Sequence, residues 1–182
     1  MNTEIEFEGF TKIPRLSKEM VITEKLDGTN GLIQITEDGQ FLVGSRSRWL
    51  SLDSKTSDNH GFCRWATENK EELLKLGVGR HFGEWVGQGI SHGYGLKGKK
   101  FVLFNVGRWN NENKPSCCEV VPVLYTGLFD TNKIDEVMCD LLITGSRFVE
   151  GCMNPEGIVI YHSASKQLFK KTFKVENTGK GN

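Results

Sequence analysis

Lys25 stands after an apolar run, Met20 to Ile22, and just before Asp27-Gly28, so a primary amine is fixed at a strand end where it could enter a cleft. Three further features are placed in the same unusual way. Glu84 lies among Phe82, Trp85 and Val86, Glu156 precedes Gly157-Ile158-Val159-Ile160-Tyr161, and lysines cluster near position 170. Burying a carboxylate or an ammonium among such neighbours is expensive unless each is paired. One such residue is an ordinary edge charge, but four ask for a shared ionic site. A lysine is a nucleophile only when unprotonated, which cationic neighbours or desolvation favour. The lysines near 170 could supply that field and also neutralise charge on an attacked phosphate. The carboxylates would hold a divalent metal and ribose hydroxyls. These residue types suit covalent nucleotidyl transfer, in which the amine attacks an α-phosphate and forms a phosphoramidate.

Each feature also has a plainer reading. Asp-Gly between alternating strands is the usual two-residue hairpin turn, whose central residues need positive φ. Lys25 would then be a solvated edge lysine. Gly44 to Leu50 carries Arg46 and Arg48 on alternate positions, hence on one side if extended. Such charges either protect an edge strand from aggregation or aim paired guanidinium groups at phosphate. Trp49, Trp65, Trp85 and Trp109 read as core residues, because aromatic groups dominate core burial. Trp49, beside its arginines, could also stack on nucleic acid. His60, His81, His92 and His162 have no ligand-like spacing and receive no role.

The elements that must position these residues are short. Val21 to Glu24, Leu32 to Thr36 and Gln40 to Gly44 read as strands joined by Asp27-Gly28 and Asp38-Gly39, an antiparallel meander. Residues 1 to 19 read as a lead-in over the surface, or an arm that contacts ligand, with Pro14 breaking any regular element. Phe62, Trp65, Ala66, Asn69, Leu73 and Leu76 follow helical spacing and predict a helix ended by Gly77 and Gly79. His81 to Val86 reads as a strand. The glycine-rich stretch from Gly87 to Gly98 has no G-x-G-x-x-G leading into a helix and no P-loop ending, and reads as a mobile loop over a cleft or a plain connector. Phe101 to Val106 is almost continuously apolar, as in a strand covered on both faces. Asn110 to Cys118 is a loop and Val120 to Tyr125 a further strand. Ile134, Val137, Met138, Leu141 and Leu142 predict a second amphipathic helix, capped by Asp130 or Thr131 and stopped by Gly145. Gly157 to Tyr161 and Leu168 to Phe173 close the chain as strands. The expected class is α+β, with antiparallel β-sheets flanked by helices, in a single domain over residues 1–182.

In order along the chain, the segments then match a known pattern. Lys25-Leu26-Asp27-Gly28-Thr29-Asn30 resembles the K-x-D-G signature of the covalent nucleotidyltransferase superfamily: ATP-dependent DNA and RNA ligases and mRNA-capping enzymes. Ser45-Arg46 with Arg48 resembles the arginine motif that follows the nucleophile, and Phe82-Gly83-Glu84-Trp85 the F-G-E segment. Phe101 to Val106 resembles the strand whose aromatic residue stacks on the purine. Glu156 to Ile160 resembles the E-G-hydrophobic motif, and Phe169-Lys170-Lys171 the closing lysine motif. The residues after D-G and the F-G-E-W form are most similar to RNA ligases and small phage and bacterial RNA-ligase-like proteins.

That resemblance implies roles. Lys25 carries AMP, Asp27 orients the site, Arg46 contacts phosphate or ribose, and Glu84 grips the ribose. Phe104 stacks on adenine, Glu156 assists metal and lysine placement, and Lys170 and Lys171 bind the α-phosphate. Glu24 joins the nucleotide-binding set, and Arg48 and Trp49 the nucleic-acid-binding set. The implied cofactors are ATP with Mg2+ or Mn2+. The implied fold is the nucleotidyltransferase (adenylation) domain of ATP-grasp-like ligases, without a C-terminal OB domain. The implied activity joins 5′-phosphate to 3′-hydroxyl ends of RNA, or of DNA or hybrid strands, and a partner protein could supply end recognition. The chain departs from the family pattern at Asn105, where aspartate is common, and at the adjacent Lys170 and Lys171, which the family spaces by one residue, with Lys174 a third candidate. Two other readings stand beside it: a GTP-dependent capping-type nucleotidyltransferase, and a non-catalytic nucleic-acid end-binding module.

Composition narrows the classes. Lysine plus arginine equals aspartate plus glutamate at 23 each, so a polyanion must be held by a local patch and not by net charge. Lys97, Lys99, Lys100, Lys166, Lys170, Lys171, Lys174 and Lys180 are candidates for it. Five cysteines, without a C-x-x-C pair or an apolar leader, read as reduced thiols of a cytoplasmic protein with no membrane partner.

Overall fold

The computed structural model describes residues 6–53 and 58–173. Two sheets organise the chain. The strands are β1 (Glu19–Lys25), β2 (Thr29–Ile35), β3 (Phe41–Gly44), β4 (Gly79–Gly87), β5 (Lys99–Leu103), β6 (Cys118–Val120), β7 (Val123–Leu128), β8 (Gly157–His162) and β9 (Gln167–Thr172). The four-stranded sheet runs β7-β1-β8-β9 and the five-stranded sheet β3-β2-β4-β5-β6. All pairs are antiparallel except β5 with β6, which are parallel. The α+β class holds, with this one parallel pair as a departure from the antiparallel expectation.

Hydrophobic burial drives one face of each sheet under helix. Behind the five-stranded sheet, Ile33, Trp85, Phe101 and Leu103 pack on Phe62, Ala66, Leu73 and Leu76. Phe62, Trp65, Trp85 and Phe101 form a ring cluster with centroids 4.9–5.9 Å apart. The expected single helix over this stretch is broken into α1 (Phe62–Glu68), α2 (Lys70–Leu73) and a 3-10 turn at Leu74–Leu76. Asn69 makes the break: its φ/ψ of −103°/18° leaves the helical region, and its side-chain amide donates to Trp65 O at 2.8 Å. Behind the four-stranded sheet, Met20, Ile22, Ile158 and Ile160 pack on Met138 and Leu141 of α3 (Thr131–Thr144). Asp130 caps that helix by accepting from Asn132 N, and Gly145 ends it at φ 78°. A third cluster, Leu26, Val86, Tyr94, Val102 and Val121, joins the two sheets along a seam.

Several expected boundaries shift for tertiary reasons. β1 and β2 do not form a hairpin, because they lie in different sheets and Asp27-Gly28 is the crossing between them. Gly28 accordingly takes no positive φ. It is required by space, since a Cβ there would sit 2.5 Å from Trp85 O. Asp38-Gly39 does turn β2 into β3, with Gly39 at φ 81°. The expected strand Phe101 to Val106 stops at Leu103, leaving Phe104 just beyond it. The expected strand Val120 to Tyr125 divides at Val121-Pro122, its first part in one sheet and its second in the other. Trp49 is 53% exposed, against the expectation of a core residue, whereas Trp85 and Trp109 are buried. All five cysteines are free, and no described helix is long and apolar enough to cross a membrane.

Candidate active site

Antiparallel registers assign each charge to a face. Lys25, Gly157 and Thr172 align across β1, β8 and β9, and so do Thr23, Val159 and Lys170; Glu24, Ile158 and Lys171 form the row between them. Side chains alternate across a strand, so Lys25, Val159 and Lys170 share the face away from α3, while Glu24 and Lys171 point to the α3 side. Lys171 there pairs with Asp135 of that helix. The two adjacent lysines therefore point to opposite faces of the sheet, and Lys170 is the one on the Lys25 side. Lys174 lies outside the described residues.

Glu24 is held on the α3 side of the sheet. It is 1% exposed, and its carboxylate accepts from Ser146 Oγ at 2.6 Å, Arg147 N at 2.8 Å and Phe148 N at 3.1 Å. Burial pushes its acidity toward the neutral form, and those three donors oppose the shift. Its side chain is thus committed to the segment after α3, on the side opposite Lys25. Sequence alone did not flag Ser146, because its partner lies 122 residues earlier in the chain.

On the opposite face Lys25 Nζ lies 2.5 Å from Glu156 Oε1. Glu84 arrives from β4, facing Asn30 across the β2–β4 register. Asn30 Nδ2 donates to Glu84 Oε2 at 3.1 Å, and the Gly28 amide also bonds that carboxylate. The pKa of Glu84 is pushed up to about 7, chiefly by burial, with the Glu156 and Asp27 charges adding and Lys25 opposing. Asn30 itself is fixed from behind, its carbonyl accepting from Asn59 Nδ2 at 3.0 Å. Glycine is the residue that fits after Glu156, for Gly157 has φ 148° and a Cβ there would stand 2.1 Å from Lys171 O. Asp27 is held from the glycine-rich segment, where the Asp27 amide donates to Tyr94 Oη at 2.7 Å and His92 Nδ1 lies 2.7 Å from Asp27 Oδ2. The stretch read as a mobile loop is thus tied to the K-x-D-G segment, and His92 has a partner the sequence did not reveal.

Phe82 and Phe104 supply exposed rings beside Glu84. Phe82 shares its face by alternation along β4, and Phe104 N donates to Phe82 O at 3.0 Å. Phe104 is 39% and Phe82 48% exposed, enough ring area to receive a base. Arg46 and Arg48 do not lie along one side of an extended strand. They sit in a turn closed by Ser45 N donating to Arg48 O at 2.8 Å, with Gly44 bridged to Trp49. Gly44 pairs with Leu32, so this turn leaves β3 toward the end of β2 that carries Asn30.

A divalent ion is tested by the donors present. Among the described residues no group of three His, Cys, Asp or Glu could hold one unaided. Glu156 Oε2, however, is buried with no hydrogen-bond partner. A single carboxylate completed by phosphates and water is a common way to hold Mg2+, so the residues fit an ion that arrives with a nucleotide.

The family described as RNA ligase matches residues 18–176. Naegleria gruberi RNA ligase, solved as mutants with ATP and Mn or with AMP and Mn, is similar in fold at TM-scores of 0.61 and 0.62, with 22% and 20% identity. Those likenesses cover 86% of this chain and 49% and 50% of those chains, so the chain spans about half their length. An apo mutant form, R4a, gives TM-score 0.59 at 20% identity, over 86% of this chain and 50% of that one. A search of curated proteins returns no match. With its matched span running from just before β1 to just beyond β9, the chain belongs to the RNA ligase family.

Proposed function

We propose that this chain is an ATP-dependent RNA ligase whose nucleophile is Lys25. The observation that carries the reading is the Lys25 amine set 2.5 Å from Glu156 and facing Glu84 at the seam of two sheets, in a chain of this family. The reading takes residues 1–182 as one adenylation domain acting in the cytoplasm. Naegleria RNA ligase, solved with ATP and Mn, supports ATP and a divalent ion as its cofactors.

In the first step the Lys25 ammonium releases a proton to solvent, and the neutral Nζ attacks the α-phosphorus of ATP. A P–N bond forms, the bond to the β-phosphate oxygen breaks, and pyrophosphate leaves. Glu156 holds the amine in place until then and offers Oε2 to a divalent ion, which when bound supplies charge neutralisation at the phosphates. Lys170, on the Lys25 face, offsets negative charge on the α-phosphate. Glu84 accepts from ribose, and Phe104 stacks on adenine. In the second step a 5′-phosphate oxygen of the RNA attacks the same phosphorus; the P–N bond breaks and Lys25 recovers its amine. In the third, a 3′-hydroxyl attacks the activated 5′-phosphate and AMP leaves. Arg46 serves phosphate or ribose, and Arg48 with the exposed Trp49 contacts the nucleic acid. End recognition is supplied by these residues or by a partner protein.

The test is adduct formation with ATP or GTP labelled at the α-phosphate, in magnesium or manganese, on a denaturing gel. Label from ATP is expected on the protein, absent in Lys25→Ala, and transferable to 5′-phosphorylated RNA. A GTP-only adduct would move the reading to a capping-type enzyme. No adduct from folded protein would leave an end-binding module.

A further inference from the structure

We propose that His92 and Tyr94 of the glycine-rich segment are positioning residues for the Lys25 nucleophile, acting through Asp27. This rests on the ligase reading of the same site.

The segment between β4 and β5 is closed on itself. Gln88 N donates to Gly98 O at 3.0 Å, Ile90 N to Gly87 O at 3.0 Å, Gly93 N to Ile90 O at 2.9 Å and Leu96 N to Gly93 O at 3.0 Å. Gly89, Gly93 and Gly95 turn this path at positive φ, and two residues bear a side chain in the same left-handed region: Ser91 at φ 46° and Tyr94 at φ 53°. A non-glycine residue there is strained and persists only where its surroundings impose it. The surroundings of Tyr94 are the nucleophile segment. Its ring is 4% exposed in the seam with Leu26, and its hydroxyl accepts the Asp27 amide. The His92 ring lies 4.1 Å from the Tyr94 ring and meets Asp27 Oδ2 through Nδ1. With Asp27 ionised, that nitrogen carries the hydrogen and donates it.

The other side of Lys25 is held by an independent anchor, for Glu24 takes the amides of Arg147 and Phe148. The two anchors touch, the Tyr94 ring meeting the Phe148 ring edge-on at 6.3 Å. Lys25 and Leu26 therefore lie between two fixed points, Glu24 and Asp27. A nucleophile must be held in a near-attack geometry, and small misplacements cost rate more than ground-state binding. Neither His92 nor Tyr94 needs to touch ATP for this; they set where the Asp27 end of the segment sits.

Rapid-quench measurement of lysyl-AMP formation against ATP concentration tests the proposal. His92→Ala and Tyr94→Phe are expected to lower the rate at saturating ATP about tenfold, with half-saturation changing less than about twofold, as expected for lost orientation. His92→Asn, whose amide can stand near Nδ1, is expected to restore most of the rate. Unchanged rates in both variants, or a loss confined to half-saturation, would overturn the positioning role. A parent protein that forms no adduct would overturn it together with the ligase reading. Hydrogen exchange at the Asp27 amide separates the two failures, because it needs no catalysis. Tyr94→Phe should speed that exchange about tenfold or more, and an unchanged rate would remove the clamp whatever the adduct assay gives.

Discussion

On the α3 face of the four-stranded sheet, Glu24 is buried under Ser146 and two backbone amides, and Lys171 pairs with Asp135. On the opposite face, one residue along each strand, Lys25 meets Glu156, and Lys170 shares its side. The same two residue types are thus used twice, once to hold the scaffold and once to build a site. What differs is the enclosure. Glu24 on the α3 side is fully buried, so its carboxylate must be satisfied by protein donors. The Lys25 side keeps a buried carboxylate oxygen on Glu156 that has no hydrogen-bond partner among the described residues.

Substitutions should break that contrast in graded fashion. Lys25→Ala removes the proposed nucleophile and should abolish adduct formation, read as complete loss of label on a denaturing gel, while leaving the melting temperature nearly unchanged. Glu24→Ala should do the reverse. It leaves a hydroxyl and two amides without their acceptor, a loss of about 3 kcal/mol in stability, seen as an earlier denaturant midpoint. If instead it melts normally and only weakens ATP binding, the assignment of Glu24 to the scaffold fails.

Lys170→Ala should slow adduct formation about a hundredfold, the scale of removing one charge-stabilising group, with a normal fold by circular dichroism. Glu84→Gln sharpens the electrostatics of the Lys25 side. In the folded chain Glu84 is raised from 4.5 to about 7, so its ionisation there disfavours the folded state. That cost is absent well below pH 4.5, grows as pH rises toward 7 and is then constant. Glu84→Gln should therefore stabilise the protein at pH 8, on the order of 2 kcal/mol, with the gain fading by pH 5 in parallel melts. A gain independent of pH would place the effect in packing instead. Lys171→Ala should be the smallest: its pair with Asp135 is solvent-exposed and worth at most about 0.5 kcal/mol. Adduct rates within about twofold of the parent are expected, and a loss matching that of Lys170→Ala would undo the division of the two faces.

Local pattern was a good guide wherever contacts are local. The periodicity around Ile134 to Leu142 located α3 and its stop at Gly145, and narrowed its cap to Asp130 or Thr131, of which Asp130 is the one, because those signals act within a few residues. The residue types and order of Lys25, Glu84, Glu156 and Phe104 were legible too, since their chemistry is written in the side chains and their motifs are contiguous. The helix over 62–76 was legible in period but not in continuity, as the Asn69 side chain competes for the Trp65 carbonyl.

What the sequence determined by itself is a short-stranded α+β chain whose K-x-D-G, F-G-E and closing-lysine segments resemble the family's and come in its order. Only the tertiary structure decided that Asp27-Gly28 crosses between sheets, that Glu24 serves the scaffold, that Lys170 and not Lys171 shares the Lys25 face, and that His92 and Tyr94 hold Asp27. The reason is register. A one-residue shift turns a side chain to the other face of a sheet, and partners 65 to 124 residues apart meet only after both sheets have formed.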